Sequence, residues 1–190
     1  MRMIDGSIQD YALTLDKLLD HGAKWHSGKE VVTAYADGST SRINYVGLRD
    51  RAKRVTALLR KLGVSQGDRV ATLCWNTQAH MECWYGIMGM GAVCHTLNPR
   101  LTAEQIAWML GQSEAEILFV SADLSPLASQ VVEQAKGIRK ILVLDPEQAD
   151  SVNLDALPSA QYLEELLTDD YEDLPWGAFP ETTPCGLCFT

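Results

Sequence analysis

The chain has 190 residues, 46% hydrophobic, 7% aromatic and 22% charged, a balance that excludes wholesale disorder and suits one globular domain. Sixteen Lys and Arg stand against 25 Asp and Glu, a net charge of −9, which argues against a nucleic-acid partner gripped through its phosphates. The longest apolar run, Cys83 to Cys94, falls short of the roughly 18 residues a membrane span needs, so no membrane span is expected.

The start, Met1-Arg2-Met3-Ile4-Asp5-Gly6, puts an acid where a secretory apolar region would begin, and no signal peptide is expected. Five cysteines, an odd number, do not suit a disulfide framework, so a reducing cytoplasm is the expected compartment. Tyr11 to Leu19 suits a short helix. Val31 to Ala36, the turn Asp37-Gly38, and Ser39 to Ile43 suit a hairpin.

Between Asn44 and Leu62 the apolar residues Leu48, Ala52, Val55, Leu59 and Leu62 recur at helical spacing, with bases between them, and Gly63 ends the pattern. A buried strand is expected at Val70 to Trp75, followed by a helix from Thr77 to Gly89 that is apolar nearly all round and therefore belongs in a core. Ala92 to Leu97 forms the next strand, which Asn98-Pro99 stops because the residue before proline avoids helical geometry. Thr102-Ala103-Glu104-Gln105 has the capping-box form and predicts a helix through Gly111. Strand Ile117 to Val120, helix Leu127 to Lys136 and strand Ile138 to Leu144 continue the alternation.

Strands separated by helices of this length imply βαβ units. The expected fold is therefore α/β, a doubly wound, mostly parallel sheet with flanking helices and a short N-terminal hairpin. Residues 1–144 form this α/β unit. Residues 145–184 carry five prolines, many acids and one helical stretch, Ala160 to Leu167, and are expected to run as an excursion over the surface. Residues 185–190 open a last strand, Gly186 to Thr190, that stops without a polar cap and looks cut inside an element.

Charge is unevenly placed. Arg42 to Arg69 holds eight bases against two acids, whereas Ile141 to Thr190 holds eleven acids and no base. A solvated helix face and a solvated loop are the simplest account; pairing of the two across a two-fold axis, in a homodimer, is the other.

Cys185-Gly186-Leu187-Cys188 has the spacing of a redox pair or half a zinc site. A redox pair needs a helix N-terminus and a zinc site needs further ligands; neither context occurs, so packing in a strand is expected. His95 lies near the carboxyl end of a strand, where open α/β sheets bind ligands, but no carboxylate or nucleophile stands beside it in sequence, and a buried, hydrogen-bonded histidine is the stronger expectation. Gly86, Gly89 and Gly91 permit close helix–sheet contact without forming a dinucleotide fingerprint. The residues alone support a fold and no complete active site.

Three stretches in order carry more. Gly67-Asp68-Arg69-Val70-Ala71, then Asn76, then Trp84 to Val93 continuing into Leu97-Asn98-Pro99-Arg100-Leu101 resemble the amino-terminal region of the AMP-forming acyl-CoA synthetases of the adenylate-forming superfamily, and most of all bacterial medium- and long-chain fatty-acid–CoA ligases, including those acting on methylmercaptopropionate. The resemblance implies a two-step reaction in the intact enzyme. A fatty-acid carboxylate attacks the α-phosphate of ATP, giving acyl-AMP and pyrophosphate, and the thiolate of coenzyme A then displaces AMP, with Mg²⁺ and basic groups neutralising charge.

By the same resemblance Leu187-Cys188-Phe189-Thr190 matches the strand entering the ATP phosphate loop, with Thr190 as that loop's first residue. Arg100 falls where relatives place part of the coenzyme A approach, or else it is a surface base capping a loop. No catalytic residue and no metal ligand is expected in this chain, which looks like about the first third of a ligase and is expected to be inactive alone. A non-catalytic dimerising module and a redox protein using Cys185 and Cys188 are the alternatives.

Overall fold

The computed structural model describes residues 11–148 and 152–189. After α1 (Asp16–Trp25) come the antiparallel strands β1 (Glu30–Ala34) and β2 (Thr40–Asn44), paired from Glu30↔Asn44 to Ala34↔Thr40. Asp37 Oδ1 accepts from both the backbone N–H and the hydroxyl of Ser39, at 2.8 and 2.6 Å, and Gly38 at φ 84° takes the left-handed turn conformation. The expected helix at Tyr11 to Leu19 lies further along. Residues 11–14 stay outside α1, and Leu13 N–H donates to Glu181 Oε2 instead at 2.9 Å.

Alternating helices and strands follow: α2 (Tyr45–Lys61), β3 (Arg69–Leu73), α3 (Gln78–Gly89), β4 (Val93–Thr96), α4 (Ala103–Ser113), β5 (Ile117–Ser121), α5 (Ser125–Gln134), β6 (Lys140–Leu144), β7 (Ala160–Tyr162), α6 (Leu163–Leu166) and β8 (Gly186–Leu187). Asn44, Thr77 and Thr102 cap α2, α3 and α4, and Thr102 with Gln105 forms the complete capping box. The six strands from β3 to β8 make one parallel sheet in the order β7-β6-β5-β3-β4-β8.

Successive strand residues serve opposite faces. Val70 belongs to one core with Leu59 and Val55 of α2, Ile87 of α3 and Leu163 of α6, while Ala71 and Leu73 belong to the other with Ile106 and Leu110 of α4 and Val131 of α5. Contact between α2 and α3 is close because Gly86 has no side chain. The Thr56 hydroxyl donates to Gly86 O at 2.7 Å, and a Cβ on Gly86 would lie 2.8 Å from Ala52 O.

The acid-rich segment departs from expectation in two ways. Ala160 to Leu167 is not one helix: its first three residues form β7 on the free edge of β6, and only Leu163–Leu166 is helical. Nor is the segment a plain surface excursion, since Leu157 and Leu163 are buried and Trp176 lies against Gly89. The basic face of α2 is correspondingly not left to solvent. Arg51 pairs with Glu164, Arg54 with Asp169, and buried Lys53 with Asp173 at 2.9 Å and Leu174 O at 2.6 Å, its ammonium 4.7 Å above the Trp176 ring. The two charge blocks meet within one chain. Among the described residues no helix is long and apolar enough to cross a membrane.

Candidate functional site

At the carboxyl ends of β3 and β4 lies a cleft of about 670 Å³, where ligands of open α/β sheets bind. The loop after β3 supplies Trp75, Asn76 and Thr77, the loop after β4 supplies Leu97 to Arg100, and β1 and α3 close the sides with Val32, His80 and Trp84. Its loops are pinned from below. Trp75 N–H donates to Ser121 Oγ at 3.1 Å and its indole N–H to Asp123 Oδ2 at 2.7 Å, tying β3 to the end of β5 beside the point where strand order reverses.

His80 braces the same loop. Its Nδ1 lies 3.1 Å from Trp75 O, and a carbonyl can only accept, so the proton sits on Nδ1; Nε2 then accepts from the Thr72 hydroxyl at 3.0 Å. Burial lowers its pKa below the usual histidine range, so the ring is neutral at pH 7. Thr77 Oγ1 donates to Asp145 Oδ2 at 2.7 Å, and burial holds that carboxyl above the usual carboxylate range. The walls are thus mainly apolar and aromatic, with Arg100 exposed at the mouth and its backbone N–H on Asn98 Oδ1 at 3.0 Å.

Of the residues singled out from sequence, Arg100 lies in this cleft. His95 does not. It is fully buried on the α4 face, with Nδ1 2.9 Å from Ser113 Oγ, and burial pushes its pKa down to about 4. Cys185 and Cys188 are exposed free thiols, and among the described residues no three His, Cys, Asp or Glu are grouped to hold a metal ion. Thr190 lies outside the described residues. Sequence reasoning missed Trp75, Thr77, His80 and the β1 wall; the only local signal was their place just after a strand, and the hairpin's approach to α3 is a long-range contact.

The first turn of α3 does not suit nucleotide phosphates. At the start of α3 the N–H of Gln78 goes to Thr33 Oγ1 and that of His80 to Thr77 Oγ1, so those donors are taken.

The profile of the AMP-binding enzyme family matches residues 19–190. The chain belongs to that family. Among curated relatives it is 32% identical over 185 residues to a 3-methylmercaptopropionyl-CoA ligase of Ruegeria lacuscaerulensis, covering 97% of this chain and 34% of that protein. It is also 33% identical over 192 residues to a long-chain-fatty-acid–CoA ligase of Thermus thermophilus, covering 100% and 33%. The chain therefore spans about a third of the length of these AMP-binding relatives. Among solved structures, an anthranilate CoA ligase in complex with anthranoyl-AMP superposes with a TM-score of 0.77 at 16% identity, over 94% of this chain and 31% of that one. A benzoate CoA ligase from Burkholderia xenovorans does so at 0.68 and 26%, over 87% and 30%.

Proposed function

We propose that this chain is the amino-terminal part of an ATP-dependent, AMP-forming ligase that joins a fatty-acid or related carboxylate to coenzyme A, and that residues 1–190 are inactive alone. The family match over residues 19–190 carries the reading. Topology supports it: β8 runs parallel to β4 with Gly186 opposite Cys94 and Leu187 opposite His95, so chain leaving β8 heads for the sheet edge at which Thr96 to Arg100 line the cleft.

In this reading the α/β unit is the platform that delivers the phosphate loop, with Thr190 as its first residue, and Arg100 flanks the coenzyme A approach. ATP, Mg²⁺ and the acyl chain are bound by groups beyond Thr190 in a cytoplasmic enzyme. The chemistry is that of activation. A carboxylate is a poor acyl donor because oxide would have to leave, whereas AMP leaves readily from an acyl-AMP.

Residues 1–190 should not bind MgATP tighter than about 100 μM by calorimetry, since one hydrogen bond, worth about 1 kcal/mol, does not offset the several kcal/mol lost in immobilising a nucleotide. A chain continued through the following reading frame should bind MgATP and release pyrophosphate when given a fatty acid and coenzyme A. A reading frame that stops at Thr190, or a continued chain without carboxylate-dependent pyrophosphate release, overturns the proposal.

A further inference from the structure

We propose that Trp176 and Phe179 are positioning residues for β8: seated over Gly89 and Gly91, they decide where that strand joins the edge of the sheet. β8 is poorly equipped to place itself. It pairs with β4 through Gly186 opposite Cys94 and Leu187 opposite His95, and it has no strand on its other side. Ordering so short a strand costs about as much backbone entropy as its hydrogen bonds return, so its hold comes from outside the strand. Beyond it the ring of Phe189 stands 5.4 Å from that of His95 and 5.7 Å from that of Trp108, which secures the exit of the strand and not its entry.

The entry is secured just ahead of β4. The indole of Trp176 lies over Gly89, where a Cβ would come 2.6 Å from the ring, and Phe179 lies over Gly91, where a Cβ would come 2.9 Å from its ring. The two glycines that form no dinucleotide fingerprint are thus the seats of two aromatic rings. Gly177 N–H donates to Gly89 O at 3.1 Å and the Trp176 indole N–H to Thr56 Oγ1 at 2.9 Å, so the segment is fixed by backbone and side chain together. From Phe179 the chain has only Pro180 to Pro184 to cross before Cys185, whose carbonyl accepts from Cys94 N–H at 2.9 Å. Thr183 N–H closes a turn on Pro180 O at 3.0 Å inside this bridge, and the fixed φ of its two prolines leaves it little freedom. A link so short and stiff passes the seat of Phe179 on to the first residue of β8. The bearing of this on the phosphate loop rests on the reading proposed above; the hold on β8 does not.

The test follows hydrogen exchange at the β4 amides of the whole 190-residue chain by NMR. It needs no nucleotide, so its failure and the failure of the ligase reading are separate events. Cys94 N–H faces β8, whereas those of Val93 and Leu97 face β3 and donate to Asp68 O and Thr72 O. Phe179→Ala should raise exchange at Cys94 about tenfold or more while Val93 and Leu97 keep their protection, a split that general loosening of the fold would not produce. Phe179→Tyr, which keeps the ring, should restore slow exchange. In the wild-type chain at low urea, the Trp176 indole N–H and the amides of Gly177 and Cys94 should open together, before Val93 and Leu97; this measurement decides if the alanine variant does not fold. Unchanged exchange at Cys94 in Phe179→Ala, an equal rise at all three β4 amides, or wild-type opening of Cys94 only together with Val93 and Leu97 overturns the inference.

Discussion

The indole N–H of Trp176 donates to the Thr56 hydroxyl at 2.9 Å, and that hydroxyl gives its own proton to Gly86 O at 2.7 Å. A residue of the acid-rich segment, a residue of α2 and a residue of α3 are thereby joined through one oxygen. Half-buried Trp176→Ala should cost about 2–4 kcal/mol, because it removes a large aromatic side chain and leaves that hydroxyl one donor short. Thr56→Val should cost about 1–3 kcal/mol, by stripping a buried carbonyl of its partner. Urea titrations of the two variants and of their combination should give a double-variant loss smaller than the sum, since both break the same link.

Gly86→Ala is expected to destabilise, although alanine is the better helix former by about 1 kcal/mol. Its new Cβ would sit 2.8 Å from both Ala52 O and Val55 Cγ1. The carbonyl belongs to the α2 backbone and cannot swing away, so the two helices must separate, at a cost of about 1–3 kcal/mol. A melting temperature unchanged or raised by the substitution would refute this account.

His95 should make the fold acid-sensitive. Its pKa is about 4 when folded, against about 6.5 when unfolded, so the unfolded chain binds the proton more readily. The stability from keeping the ring neutral is complete above about pH 6.5 and is lost as pH falls toward 4, by about 3 kcal/mol in all. Glu82 and Asp145 act in the opposite sense, since burial raises both carboxyls and their contribution weakens as pH rises. The histidine is isolated by subtracting a His95→Gln titration from that of the wild type; parallel curves between pH 4 and 6.5 would contradict the assignment.

Thiol reactivity should divide the five cysteines into two classes. Cys185 and Cys188 are exposed and free, so two thiols should react quickly with a disulfide reagent at pH 8. Cys74, Cys83 and Cys94 should react only on unfolding, because burial raises each thiol, Cys94 to about 12. Cys185→Ser and Cys188→Ser should each shift stability by less than about 1 kcal/mol. Stoichiometric zinc in the purified chain would contradict this.

Local patterns in the sequence were enough for the α/β alternation from Leu48 to Leu144, because amphipathic spacing, the Thr102–Gln105 box and the Asn98-Pro99 stop act within a few residues of chain. Family membership was legible for a related reason: Gly67 to Ala71, Asn76 and the run from Trp84 to Leu101 are read in order along the chain, without knowing how they pack.

Packing between distant segments decided the rest. Ala160 to Tyr162 became a strand because β6 offered it an unpaired edge, a partner that three residues cannot announce. The bases of α2 found Glu164, Asp169 and Asp173 of their own chain only once α6 and Trp176 were laid across α2 and α3. His95 and Arg100, five positions apart in sequence, went to opposite fates: strand alternation and the β4 register turned one under α4, and the proline turn brought the other to the mouth of the cleft. Side-chain direction along a strand has a period of two, but which face meets which helix depends on contacts made far along the chain.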